Sequence, residues 1–234
     1  MFPATIFDFN GVLVDDELVH RDAFRDVLDP LGVFFTDAQY VERYLGFDDV
    51  GALSAMLIDA GRSATETEVN ALAAAKRPFY MQRANRSLVV FEGAERVVQD
   101  RAKAGPVAIV SGALRDEIAF ALDRMGLRDL IAFVVSAEDT TRCKPDPMGY
   151  ELGIKALSER IGESAARNAL VIEDSLAGIE AAKGARLPCL AVAHSYPEAE
   201  LLKAGADAVV PRIRDVDDGF VVALHSRLPF GRNG

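Results

Sequence analysis

The sequence predicts an α/β fold: a parallel sheet whose chain is interrupted once by an all-helical insertion. Two observations carry this reading. Short apolar runs alternate with helical periodicity along most of the chain, and one long stretch near the N-terminus is helical throughout. Continuous Val/Ile/Leu runs that end in polar or small residues suit strands buried on both faces, as in a parallel sheet covered by helices. Such runs occupy residues 5–9, 107–110, 133–135, 169–172 and 189–192, with 208–210 a further candidate.

Helical patterns fill the gaps at 94–104, 113–125, 147–160 and 175–186, and Gly105 and Gly126 follow the first two as stop signals. Strands alternating with helices imply right-handed crossovers and hence a parallel sheet. Residues 16–87 break the alternation. There Phe24, Val27, Leu28 and Leu31 recur at helical spacing before Gly32, and Val50, Leu53, Leu57 and Ala60 repeat it before Gly61. Thr65 with Glu68 fits a capping box for a later helix, which Pro78 is expected to kink or interrupt. The expected division is a core of residues 1–15 and 88–234 around a helical segment of residues 16–87.

Bulk properties narrow the function. With 234 residues, half of them hydrophobic and 26% charged, the chain can bury a sizeable core without disulfide or metal staples. A formal net charge of -10 argues against nucleic acid, whose phosphates are bound chiefly by Lys and Arg. Cys143 and Cys189 form no C-x-x-C pair and fit a reducing compartment. No secretory signal is expected in MFPATIFDFNGV, and no run reaches the roughly 18 apolar residues of a membrane span. The expectation is a cytoplasmic protein without a membrane partner.

Four segments stand at the C-terminal ends of expected strands, where open α/β sheets collect ligands. They are Asp8-Phe9-Asn10-Gly11-Val12-Leu13-Val14-Asp15, Ser111-Gly112-Ala113, Cys143-Lys144-Pro145-Asp146-Pro147 and Glu173-Asp174-Ser175. Singly, each has a bland reading: a turn aspartate, a strand-to-helix turn, a solvated lysine, a helix N-cap. Their joint order is what points to a metal and phosphate site.

In that order the segments resemble the four motifs of the haloacid dehalogenase superfamily, and the insertion resembles its helical C1-type cap. The group with phosphoglycolate phosphatase and β-phosphoglucomutase is the most similar in flavour. The resemblance covers essentially the whole chain and implies a Rossmann-like parallel sheet core with an inserted all-helical cap domain. It also implies a Mg²⁺-dependent hydrolase of a small phosphorylated metabolite. Asp8 would be nucleophile and metal ligand, forming an aspartyl phosphate. Asp174 would be the second carboxylate ligand, Glu173 would bind directly or through water, and Asn10 would contribute its backbone carbonyl. Ser111, with the N–H groups of Gly112 and Ala113, would hold the phosphoryl oxygens, and Lys144 would stabilise charge in transit. The Lys144–Pro145 bond is often cis in relatives. The cap would exclude water and help select the substrate. His20, Gly46, Asp49 and Lys76 match positions from which relatives meet it. Asp48 and Asp49, where phosphosugar relatives tend to carry a basic residue, favour a substrate with one phosphate, although either also fits a helix N-cap.

One departure matters most. The family keeps an acid/base aspartate where this chain has Asn10, and an amide has no proton to exchange near neutral pH. Three readings stay open: a substitution introduced to trap a complex, a natural enzyme with weak or altered turnover, or a phosphometabolite-binding protein. A phosphomutase is a further enzymatic alternative. Dehalogenase chemistry is disfavoured by the Glu173-Asp174 pair.

Overall fold

The computed structural model describes residues 1–45 and 47–228, which fall into two compact units. One comprises Met1–Asp15 with Val90–Gly234, and the other Asp16–Val89. The chain passes between them beside two short strands, β2 (Val14–Asp15) and β3 (Val89–Val90).

The first unit is built on β1 (Thr5–Phe7), β4 (Val107–Val110), β5 (Ile131–Val135), β6 (Leu170–Glu173), β7 (Cys189–Val192) and β8 (Ala208–Val210). They form a six-stranded sheet in the order β5-β4-β1-β6-β7-β8, every pairing parallel. Burial on both faces explains why these strands read as continuous apolar runs: all residues of β1, β4, β6 and β7 are buried. The chain runs from β1 to β4 on one side and later returns to β6 on the other. This reversal opens a crevice beyond the C-terminal ends of those three strands. The Rossmann-like α/β core is therefore as expected.

The second unit contains α1 (Glu17–Leu28), a short α2 (Asp37–Gln39) continued by a π-helical turn (Tyr40–Tyr44), α3 (Asp49–Asp59) and α4 (Glu66–Ser87). Its core holds Phe24, Val27, Leu28, Tyr40, Tyr44, Leu53, Met56, Leu57 and Val69. Two seams differ from the periodicity. Leu31 falls in a 3₁₀ turn after α1 and is exposed. On α3 the buried face is Ala52, Leu53, Met56 and Leu57, while Val50 is exposed. Thr65 caps α4 by accepting from the Glu68 N–H at 3.3 Å, but the Glu68 carboxylate turns to Ser63 instead of closing the box.

Pro78 does not interrupt α4. A proline inside a helix costs about 3 kcal/mol. Buried anchors on both sides, Val69 and Lys76 before it and Tyr80 and Ala84 after it, offset that cost through packing.

The remaining helices, α5 (Ala94–Ala104), α6 (Arg115–Met125), α7 (Met148–Ile161), α8 (Glu163–Ala166), α9 (Leu176–Gly184), α10 (Glu198–Ala204) and α11 (Asp218–Arg227), belong to the first unit. Among the described residues no helix is long and apolar enough to cross a membrane.

Candidate active site

Asp8 follows the last residue of β1 and is nearly buried; its N–H donates to the Ile172 carbonyl at 2.9 Å, extending the ladder with β6 by one bond. The chain then turns tightly, with the Phe9 carbonyl accepting from Leu13 N–H at 2.9 Å and Gly11 N–H donating to Val14 at 2.8 Å. Gly11 has φ +75°, and a Cβ there would lie 2.1 Å from Asp174 Oδ2. Only glycine gives both the left-handed turn and that close approach.

Lys144 ties the motifs together. Its Nζ donates to Asp8 Oδ1 and Glu173 Oε1 at 2.6 Å each and to the Val110 carbonyl at 3.3 Å. Burial works to lower the ammonium's pKa, but Asp8 and Glu173 outweigh it and hold the proton firmly. The Lys144–Pro145 bond is cis.

Glu173 closes β6 and is fully buried. Oε1 accepts from Lys144 and from the Tyr150 hydroxyl at 3.0 Å. Oε2 accepts from the N–H groups of Asp174 and Ser175 at 2.9 and 3.0 Å and from the Ser175 hydroxyl at 3.1 Å. Burial favours the neutral acid, yet Lys144 and these donors keep the carboxyl below its ordinary range. A carboxylate engaged at both oxygens is suited to fixing Lys144 and the Asp174 backbone, which describes a second-rank neighbour better than a direct cation ligand.

Asp174 is the opposite case. Burial and the charges of Glu173 and Asp8 push its carboxyl well up, against the opposing Ser195 hydroxyl, which donates to Oδ2. Burial likewise lifts Asp8 to about 7, with Lys144 opposing and Glu173 adding to the rise. Carboxylate oxygens of Asp8, Glu173 and Asp174 lie within 4.8 Å of one another. Three such groups against one ammonium leave an excess of negative charge that a hard divalent cation would neutralise, reversing both shifts. The donor set therefore fits Mg²⁺, with Asp8 and Asp174 as its carboxylates.

Ser111 continues β4, its N–H donating to the Val135 carbonyl at 3.0 Å. Its hydroxyl lies 3.4 Å from Asn10 Oδ1, to which it donates, and accepts from Ala113 N–H at 3.2 Å. That N–H is thus occupied by Ser111 itself, and Gly112 is exposed beside it. Cys143 is exposed and outside any disulfide.

The candidates from residues 16–87 gather within the helical unit. Lys76 is completely buried in α4. Its Nζ donates to Asp49 Oδ1, lies 2.7 Å from His20 Nδ1 and sits 4.2 Å from the Phe24 ring centroid. His20 Nε2 is 3.2 Å from Asp16 Oδ2, which also accepts from the Tyr80 hydroxyl at 2.5 Å. Burial and Lys76 act to lower the imidazole's pKa, but Asp16 and Asp49 outweigh them and lift it to about 10. The 2.7 Å contact between the two nitrogens accommodates a single hydrogen. Asp48 is the N-cap of α3, accepting from Gly51 N–H at 2.8 Å, whereas Asp49 serves Lys76. Gly46 lies outside the described residues.

Sequence reasoning missed Tyr150, Gly178, His194 and Ser195. The last two follow β7, and the rule that singled out the ends of β1, β4 and β6 applies there too. No residue pattern marked the spot.

Comparison with known proteins identifies the family. The family model described as haloacid dehalogenase-like hydrolase matches residues 5–192. The validoxylamine A 7'-phosphate phosphatase of Streptomyces hygroscopicus subsp. limoneus is 29% identical over 218 residues, 92% of this chain and 96% of that protein. A phosphorylated carbohydrates phosphatase of Thermotoga maritima is 28% identical over 88% of this chain and 93% of its own length. The fold matches β-phosphoglucomutase from Clostridium difficile with a TM-score of 0.82 at 22% identity, covering 97% of this chain and 98% of that one. With four motifs brought to one end of a parallel sheet and the family model matched across most of its length, the chain belongs to the haloacid dehalogenase-like hydrolases.

Proposed function

We propose that the chain is a phosphomonoester hydrolase acting on a small phosphorylated metabolite through an aspartyl phosphate on Asp8, with turnover limited by Asn10. The observation that carries this is the Asp8–Lys144–Glu173 linkage beside Asp174, gathered at the C-terminal ends of β1 and β6. Asp8, Asp174 and the Asn10 carbonyl would hold a Mg²⁺ ion, which would supply charge neutralisation at the phosphoryl group.

Asp8 attacks phosphorus with a carboxylate oxygen, forming the acyl phosphate bond as the bond to the substrate oxygen breaks. Lys144, fixed by Glu173, keeps positive charge beside the transferring group. Ser111 exchanges its contact with Asn10 for a phosphoryl oxygen. The departing oxygen needs a proton, and the incoming water must later lose one. Asn10 does neither, so substrates with good leaving groups react first and the phosphorylated enzyme accumulates. The name of the Thermotoga maritima relative supports a phosphorylated carbohydrate.

Incubation with p-nitrophenyl phosphate and Mg²⁺, followed by acid quench and peptide mass spectrometry, tests the reading. One phosphoryl adduct on Asp8, absent from Asp8→Asn, is expected. Specific ligand binding without any adduct or phosphate release, in this chain and in Asn10→Asp, would identify a binding protein instead. Conversion of a phosphosugar into its isomer, without free phosphate, would identify a mutase.

A further inference from the structure

Two consecutive side chains after β7 hold two of the loops that carry the site. Ser195 donates its hydroxyl to Asp174 Oδ2. His194 Nδ1 is 2.7 Å from the Gly11 carbonyl, and its Nε2 is 3.2 Å from the Ile213 N–H. A carbonyl can only accept and an N–H can only donate, so Nδ1 carries the ring hydrogen and Nε2 accepts. Phe91 stacks on the imidazole at 4.0 Å between centroids, 24° from parallel, which fixes the ring plane.

We propose that His194 and Ser195 are a positioning pair for the metal centre: His194 holds the Asp8–Val14 turn at the Gly11 carbonyl while Ser195 orients Asp174. The two grips meet at one point. A Cβ on Gly11 would fall 2.1 Å from Asp174 Oδ2, the oxygen that Ser195 binds, so the turn and the carboxylate are in close contact. Moving either one displaces the other. One short turn thus sets the distance between the residues carrying Asp8, the Asn10 carbonyl and Asp174. Neither side chain faces phosphorus or exchanges a proton with the substrate; both act through the groups they hold. The inference rests on the reading of Asp174 as a Mg²⁺ ligand.

Replacing a partner of a metal ligand typically weakens binding by about 10- to 100-fold. Ser195 is exposed, so water partly replaces its hydroxyl and the lower end applies, about tenfold. Calorimetric titration of the full chain with MgCl₂ tests this on the wild type, Ser195→Ala, Ser195→Thr and His194→Leu, alongside the melting temperature of each without metal. Expected is about tenfold weaker Mg²⁺ binding for Ser195→Ala and His194→Leu. Ser195→Thr should retain wild-type affinity, and Ser195→Ala should melt like the wild type when metal-free. Affinity within twofold of wild type in both Ser195→Ala and His194→Leu overturns the proposal. So does weaker binding that Ser195→Thr fails to restore and that follows a lowered metal-free melting temperature. If the wild type itself binds no Mg²⁺, the reading of Asp174 fails and this inference falls with it.

Discussion

At the scale of single residues, the site depends on small differences in what surrounds chemically similar groups. Asp8, Glu173 and Asp174 are all buried carboxyls, yet Glu173 is engaged by Lys144, Tyr150 and three donors of its own loop, whereas Asp174 has Ser195. The first is held charged and the second is pushed toward neutrality, and a cation resolves the imbalance. Gly178 is part of the Glu173 socket, because a Cβ there would lie 1.7 Å from Oε1. Gly178→Ala should therefore destabilise the protein by about 1–3 kcal/mol in urea denaturation. It should also lower phosphate release, because Glu173 must shift off Lys144. Unchanged stability would show that the socket has slack. Asp8, Ser111 and Asp174 were legible in the sequence because each follows a strand end, and Lys144, nine residues past the end of β5, because it stands in a recognisable string. Ser195 and His194 were not, because hydrogen bonds across the fold, not neighbours in sequence, give them their partners.

At the scale of elements, periodicity located the helices but not always their faces. On α3, Asp48 at the N-cap and Asp49 at the first position tie the helix start, and tertiary packing selects Ala52 and Met56 over Val50 and Ala60 for the buried face. Propensity at Pro78 was similarly outweighed by anchors along α4. The Lys76–Asp49 pair is another feature that sequence spacing could not join, since 27 positions separate its members. Removing one partner of a buried ion pair is costly because the other remains desolvated and unmatched. Lys76→Met should therefore destabilise the helical unit by about 3–5 kcal/mol in urea denaturation. An unfolding midpoint equal to wild type would mean that water or His20 already satisfies Asp49 without the ammonium.

At the scale of the whole molecule, the strand order places the motif-bearing loops at one end of one sheet, where Asp8, Glu173 and Asp174 together outnumber the single ammonium of Lys144. Mg²⁺ at a hundredfold excess over its dissociation constant should add about 2.7 kcal/mol to stability. A rise of several degrees in melting temperature, reversed by chelation and absent in Asp174→Asn, is the expected readout. No metal-dependent shift in the wild type would count against the cation site. The family was legible from the motifs because the parallel sheet forces chemistry to strand ends; the working rate was not, because it turns on one amide. Turnover of a panel of small phosphomonoesters with Mg²⁺, compared between this chain and Asn10→Asp, therefore tests the account most directly. Restoring an acid/base carboxyl should raise phosphate release by about 10²–10⁴-fold on at least one ester. Equal, slow release by both proteins on every ester would contradict it.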